Sequence, residues 1–206
     1  MNGKIILISG PSGSGKSTLI NRLIGEEKDI YFSISSTTRA IRDGEKHGVN
    51  YYFISEDEFK KGIEDGEFLE WALVHGNYYG TSLKPVLQAL DDGKFVVFDI
   101  DVQGFDIARQ KFGDKIVSIF ITTKDEQELE NRLLQRATNT KDDIKFRLKN
   151  AKDEMKRIGD YDYLIINDDL ESAFNSLKSI FKSINNKIKF TNFENFINNW
   201  NKKESK

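Results

Sequence analysis

The stretch Gly10-Pro11-Ser12-Gly13-Ser14-Gly15-Lys16-Ser17 constrains this chain more than any other. It follows a continuous apolar run, Ile5-Ile6-Leu7-Ile8, and precedes Leu19, Ile20, Leu23 and Ile24, which recur at helical spacing. An unbroken apolar run reads as a strand buried on both faces. Strand, G-x-x-x-x-G-K-[ST] loop and helix in that order make a phosphate-binding loop. The glycines let successive backbone N–H groups curve around an anion without a Cβ clash, and the helix start adds partial positive charge. Lys16 is placed to reach the β- and γ-phosphates of a triphosphate, the Ser17 hydroxyl to ligate Mg²⁺, and Thr18 to add a phosphate contact. The loop alone does not separate a kinase from a GTPase or an ATPase.

Further along, Phe95-Val96-Val97-Phe98 and Ile116 to Ile121 are two more continuous apolar runs, and Tyr163 to Ile166 reads as a final strand. Helical stripes alternate with them. Leu83 to Leu90 stops near Gly93, and Leu129, Leu133 and Leu134 follow a Thr123/Glu126 capping-box spacing. Ile144, Leu148, Ala151, Met155 and Ile158 form another stripe, and Leu170 to Ile184 a longer one. Gly25 is the expected stop of the first helix. Buried strands alternating with amphipathic helices predict an α/β domain with a mostly parallel sheet flanked by helices.

The region from Ser33 to Leu83 reads differently. It offers short strands at Tyr31–Ser36, Tyr51–Phe53 and Phe68–Val74, a polar loop over Arg39–Asn50, a Ser55/Glu58 capping box and a turn at His75-Gly76-Asn77. We read it as an inserted lobe, about 33–83, in a core of about 1–32, 84–124 and 158–184, with a helical lid at about 125–157. The tail, 185–206, carries Phe190, Phe193, Phe196, Ile197 and Trp200 at near-helical spacing and is expected to be one more packed helix.

Composition narrows the chemistry. The 206 residues contain no cysteine and only His47 and His75 as imidazoles, which excludes disulfides, thiolate zinc sites and a histidine-built metal site. With 31 basic against 33 acidic residues there is no global positive field to hold a nucleic acid, so phosphate binding must be local. No apolar run is long enough for a bilayer, and the apolar start runs straight into the glycine loop rather than into a leader, so a cytoplasmic protein is expected.

Several other segments resemble the guanylate kinase signature: Ser35-Ser36-Thr37-Thr38-Arg39 with Arg42, Gly44-Glu45 and Tyr51; Phe68-Leu69-Glu70-Trp71; His75-Gly76-Asn77-Tyr78-Tyr79-Gly80-Thr81; and Asp99-Ile100-Asp101-Val102-Gln103-Gly104. The resemblance covers about Lys4 to Ile184. It implies a P-loop NTPase-type fold and transfer of phosphate from ATP to GMP, with Mg²⁺, giving ADP and GDP. It places Arg39, Arg42, Tyr51 and Tyr79 around the GMP phosphate, which suits guanidinium forks and phenol hydroxyls. Guanine presents two neighbouring donors, N1–H and the 2-amino group, so a carboxylate on that edge accepts both and rejects adenine. Glu70 is the first candidate and Asp101 the second; Ser35 and Thr81 are implied for the remaining base atoms. Asp99 is assigned to the Mg²⁺ neighbourhood through water, at the carboxyl end of a strand where α/β folds place ligands.

Arg132 and Arg136 are four apart on one predicted helix and Arg147 lies on the next. The resemblance implies that such arginines reach the ATP phosphates as a lid closes, with Asn167 near adenine. The bland alternative pairs them with Glu128 or Asp143. Phosphoryl transfer needs positive charge and alignment more than covalent help, so Lys16, Arg39, Arg136 and Arg147 are the expected catalytic set. Two departures from the family pattern stand out. Ile41 replaces a usual proline, which puts the stiffness of the phosphate-arginine loop in question, and Ala137 replaces a usual glycine at the lid hinge. Two rival readings are a scaffold module that binds protein ligands and a kinase for another phosphorylated acceptor. The intact phosphate loop argues against the first, and Glu70, Thr81 and Asp101 against the second. A monomer and a homodimer are both compatible with the sequence.

Overall fold

The computed structural model describes residues 3–74, 76–135, 140–190 and 193–200. In chain order the elements are β1 (Lys4–Ser9), α1 (Lys16–Glu26), β2 (Ile30–Phe32), β3 (Ser36–Thr37), β4 (Tyr52–Phe53), α2 (Glu56–Glu64), β5 (Phe68–Val74), β6 (Asn77–Ser82) and α3 (Leu83–Asp91). Then follow β7 (Phe95–Asp99), α4 (Val102–Phe112), β8 (Ile116–Thr122), α5 (Glu126–Leu134), α6 (Lys141–Met155), β9 (Tyr163–Ile166), α7 (Leu170–Ile184) and α8 (Phe193–Trp200).

A five-stranded sheet in the order β2-β7-β1-β8-β9 is parallel throughout. β1, β7 and β8 read as unbroken apolar runs because both their faces are covered, whereas the edge strand β9 leaves Leu164 and Ile166 exposed. Ile6 and Ile8 of β1 point into one core with Leu19, Ile20 and Leu23 of α1 and Phe174, Leu177 and Phe181 of α7. Ile5 and Leu7 point into the other, with Val86 and Leu90 of α3 and Phe105 and Ala108 of α4. A third, small cluster of Leu129, Leu133, Ile144 and Ala151 holds α5 and α6 to each other.

The four-stranded sheet, order β4-β3-β6-β5, is separate and mixed. One of its faces packs on α2: Phe59 stacks on Phe68 at 4.2 Å and on Tyr78 at 5.2 Å between ring centroids. Side chains alternate across a strand, so Tyr79 and Thr81 of β6 point away from that packed face.

Several local expectations change. Tyr31–Ser36 is not one strand: Ser33 N donates to Val97 O at 2.9 Å as pairing with β7 ends, and the chain then crosses to the second sheet, where Ser36 and Thr37 form β3. Polar Ser33 and Ser35 give this stretch no continuous apolar face to keep it in the core sheet. Gly25 does not stop α1; the helix runs through it to Glu26, and Gly25 takes no positive φ. The Ser55/Glu58 capping box forms with both halves made, but Thr123 does not cap α5. Asp125 does so, accepting from Glu128 N at 2.7 Å, because Asp125 and Glu128 repeat the capping spacing two residues on. Ile158 falls outside α6, in a single 3₁₀ turn over Ile158–Asp160. In the tail, α8 forms, yet it buries none of its residues, and Phe193, Phe196, Ile197 and Trp200 are exposed rather than packed. His75 and Ala137 lie outside the described residues.

Candidate active site

The phosphate loop leaves β1 and enters α1 over the carboxyl end of the parallel sheet. Gly10 and Gly15 have φ of 139° and 92°. A Cβ on Gly10 would meet Ile121 O at 2.0 Å, and one on Gly15 would meet Asn167 Nδ2 at 2.2 Å. These two positions therefore need glycine for both backbone and space. Gly10, Ser12, Gly13, Gly15, Lys16, Ser17 and Thr18 line a cleft of about 300 Å³ together with Asp99, Asp101 and Glu154. Lys16 folds over its own loop, its Nζ donating to Gly10 O at 2.5 Å and Pro11 O at 3.2 Å. Ser14 is buried beneath the loop and Pro11 faces a separate apolar recess against α5 and α6.

The β1–β7 register sets Ile8 beside Asp99, which brings that carboxylate to the loop. Burial raises the Asp99 carboxyl above its ordinary value while the Lys16 ammonium pulls it down. Asp101 is not on the strand; it is the N-cap of α4, and its Oδ1 accepts from Gln103 N at 3.0 Å and Gly104 N at 2.8 Å. The oxygen donors present, the exposed Ser17 hydroxyl and the Asp99 carboxylate, suit a hard cation. Among the described residues no three His, Cys, Asp or Glu converge into a full cage. Mg²⁺ fits such a place, since it is usually held by few carboxylates and by water and phosphate oxygens.

On the opposite side of the loop, Asn167 is buried and its Nδ2 donates to Ser14 O at 2.8 Å. Its carboxamide nitrogen thus braces the loop from below. Arg132 pairs with Glu128 at 2.6 Å, as in the bland alternative, and also donates to Asn167 O at 2.8 Å, which keeps it at the loop's edge. Arg147 of α6 reaches the loop itself, donating to Ser12 Oγ at 2.6 Å. Arg136 lies outside the described residues.

The second sheet carries the other predicted group. Glu70 sits where the β5–β6 register shifts, between Phe68 and Trp71, and it accepts from Thr81 Oγ1 at 2.6 Å. Burial raises its carboxyl; the Thr81 hydrogen bond lowers it and the charge on Asp101 raises it further. The start of β5 packs toward α4, which is how the Asp101 cap comes to sense Glu70. Arg39 is held by Glu45 through Nη2 at 2.7 and 2.9 Å and lies 5.5 Å from the Tyr51 ring centroid. Tyr51 in turn meets Tyr79 edge-on at 5.9 Å. Glu45 also accepts from Arg42 N at 2.9 Å, so the loop bearing both arginines is tied down although Ile41 is exposed. The Arg42 side chain is exposed, and Ser35 takes part through its carbonyl, which accepts from Tyr52 N.

Sequence reasoning misses two roles in this site: Glu45 reads only as part of the Gly44-Glu45 signature segment, and Glu154 carries no motif at all. Glu45 is the orienting partner of Arg39, and Glu154 of α6, a single acid in a charged stretch, faces the phosphate cleft.

A parallel sheet with a phosphate loop after its central strand, a separate small sheet and the helix pair α5–α6 beside the loop defines the class of P-loop nucleotide kinases. The family model described as guanylate kinase matches residues 2–184. A guanylate kinase of Campylobacter jejuni (strain RM1221) is 56% identical over 205 residues, 99% of this chain and 100% of that one. One of Helicobacter pylori (strain ATCC 700392 / 26695) is 48% identical over 196 residues, 95% of each. The crystal structure of guanylate kinase from Anaplasma phagocytophilum superposes with a TM-score of 0.71 at 34% identity, covering 90% of this chain and 88% of that one. The chain belongs to the guanylate kinase family, whose members are ATP:GMP phosphotransferases.

Proposed function

We propose that this chain transfers the γ-phosphoryl group of ATP to GMP, and to dGMP, giving ADP and GDP. The observation that supports this reading most is that the phosphate-loop cleft and the partly buried carboxylate of Glu70 on the second sheet share a neighbour in Asp101. Asp101 lines the loop's cleft and also acts electrostatically on Glu70. ATP would occupy Gly10 to Thr18, with Arg132, Arg136 and Asn167 at its margin. GMP would lie over the second sheet, its phosphate among Arg39, Arg42, Tyr51 and Tyr79 and its guanine edge at Glu70, Thr81, Ser35 and Asp101. The lobe at about 33–83 and the lid at about 125–157 are the parts we assign to closure.

The attacking oxygen of GMP is already largely ionised at neutral pH, so no general base is needed. The work falls to alignment and charge: Lys16 and Arg147 from the donor side, Arg136 from the lid, Arg39 from the acceptor side. Lys16 must leave the Gly10 and Pro11 carbonyls to reach a phosphate, and Arg39 must share itself between Glu45 and the incoming anion. Ser17 directly, and Asp99 through water, would hold Mg²⁺, which supplies charge neutralisation between the phosphates. Water must be excluded, or ATP is simply hydrolysed. We further propose that the protein is cytoplasmic, acts on free nucleotides rather than nucleic acid or membrane, and works as a monomer or homodimer. Among the described residues no helix is long and apolar enough to cross a membrane.

Calorimetry with a non-hydrolysable ATP analogue and with GMP, alone and in sequence, tests the two-site arrangement. We expect each to bind without the other and both to bind together. Mutual exclusion, or uptake of neither, refutes it.

A further inference from the structure

Glu154 is out of place in a polyanion site. It lines the phosphate cleft with Lys16, Ser17 and Asp99, and it is partly buried there. Among the described residues no hydrogen bond or ion pair engages its carboxylate. Lys16, the cation that acts on it, donates to two carbonyls of its own loop. Burial raises the Glu154 carboxyl, Lys16 lowers it and Asp101 raises it. The acid is placed there by the helix that carries it. Arg147 and Glu154 are seven apart on α6, two turns, so they share the face turned to the loop, while Ile144 and Ala151 take the face packed on α5. Arg147 touches the loop at Ser12 from the same side.

A carboxylate at this position, unpaired among the described residues and added to Asp99 and Asp101 in the same cleft, opposes any bare phosphate chain, because like charges repel and partly buried ones are screened less than exposed ones. The same carboxylate is tolerated, or favoured, when the phosphates arrive with a divalent cation on them. We infer that Glu154 makes this cleft selective for the magnesium complex of ATP over metal-free ATP. It is a specificity residue acting by repulsion, the half of discrimination that contact inventories miss. The inference rests on the reading of the cleft as an ATP site.

The test is binding, not turnover. ATP affinity is measured by calorimetry at constant ionic strength, once in EDTA and once in excess Mg²⁺, for wild type, E154Q, E154D and E64Q. Glu64 is exposed on α2, and its variant controls for net charge. In E154Q metal-free ATP should bind about tenfold tighter, about 1.4 kcal/mol, while Mg-ATP stays within about twofold. E154D keeps the charge and should keep the wild-type ratio, as should E64Q. Equal shifts in both conditions would make Glu154 a packing residue and overturn the inference. A loss confined to Mg-ATP would overturn it too, since Glu154 would then hold the cation. A wild-type chain that binds neither form removes the proposed function and this inference together. A wild type that binds Mg-ATP, with an unaltered ratio in E154Q, removes the inference alone.

Discussion

Replacing Glu70 by glutamine isolates the feature that should make this kinase choose guanine. The carboxylate is held by Thr81 Oγ1 at 2.6 Å, and that bond survives in the amide, so the fold at the β5–β6 register shift has no reason to change. What changes is the edge offered to the base. Two guanine donors lose an acceptor pair and meet an NH₂ group at one of the two positions. A hydrogen bond to a charged group contributes about 1.5–3 kcal/mol. At 1.4 kcal/mol per decade, kcat/KM for GMP should therefore fall by roughly ten- to a hundredfold, mostly in KM. The pH profile supplies a second reading. Burial raises the Glu70 carboxyl above the ordinary glutamate value of 4.5, and only the ionised form accepts both donors. GMP use by the wild type should thus decline as pH falls through that raised value. The GMP phosphate also takes up a proton as pH falls, so the quantity to plot is the ratio of wild type to E70Q, in which the substrate's own titration cancels. Linkage gives the opposite sign for stability. A carboxyl raised in the folded state stabilises the fold most when protonated and loses that contribution as pH rises, so E70Q should melt no lower than wild type at neutral pH. Coupled ADP-release kinetics and a thermal melt read all of this. An unchanged KM with a flat ratio across pH would remove Glu70 from the base site.

Lys16→Ala should abolish turnover while GMP binding persists, as seen by kinetics beside GMP calorimetry; full activity would refute the loop's role. Asn167→Ala leaves Ser14 O without its buried donor, a loss of about 1–3 kcal/mol, to be read as a lowered denaturation midpoint together with weaker ATP binding. Gly15→Ala forces a side chain into a φ of 92° and against Asn167 Nδ2, and should remove ATP binding while GMP binding stays. Ending the chain after Phe190 removes α8, which buries none of its residues, and should leave the melting temperature and activity unchanged.

The parts legible in the sequence were those with a local physical cause. The glycine loop between an apolar run and a helical stripe announced itself, and the two-sided burial of β1, β7 and β8 followed from unbroken apolar runs. What escaped was set by tertiary partners. The switch of sheets at Ser33–Ser36 depends on which strand receives Ser36, and the capping of α5 by Asp125 rather than Thr123 was a choice between two equivalent spacings. The tail shows why periodicity is not burial: Phe193, Phe196, Ile197 and Trp200 do form one helix, but among the described residues they stay largely exposed. In the site, Glu154 faces a loop distant from it in sequence, so no short motif contains it, and the Glu45 signature segment does not by itself show that its carboxylate holds Arg39.

The most direct measurement is a coupled ADP-release assay with Mg-ATP against GMP, AMP, CMP and UMP in turn. Rapid release with GMP and close to none with the other three is the expected outcome. Equal rates with AMP, or no GMP-dependent release at all, would contradict the account at its centre.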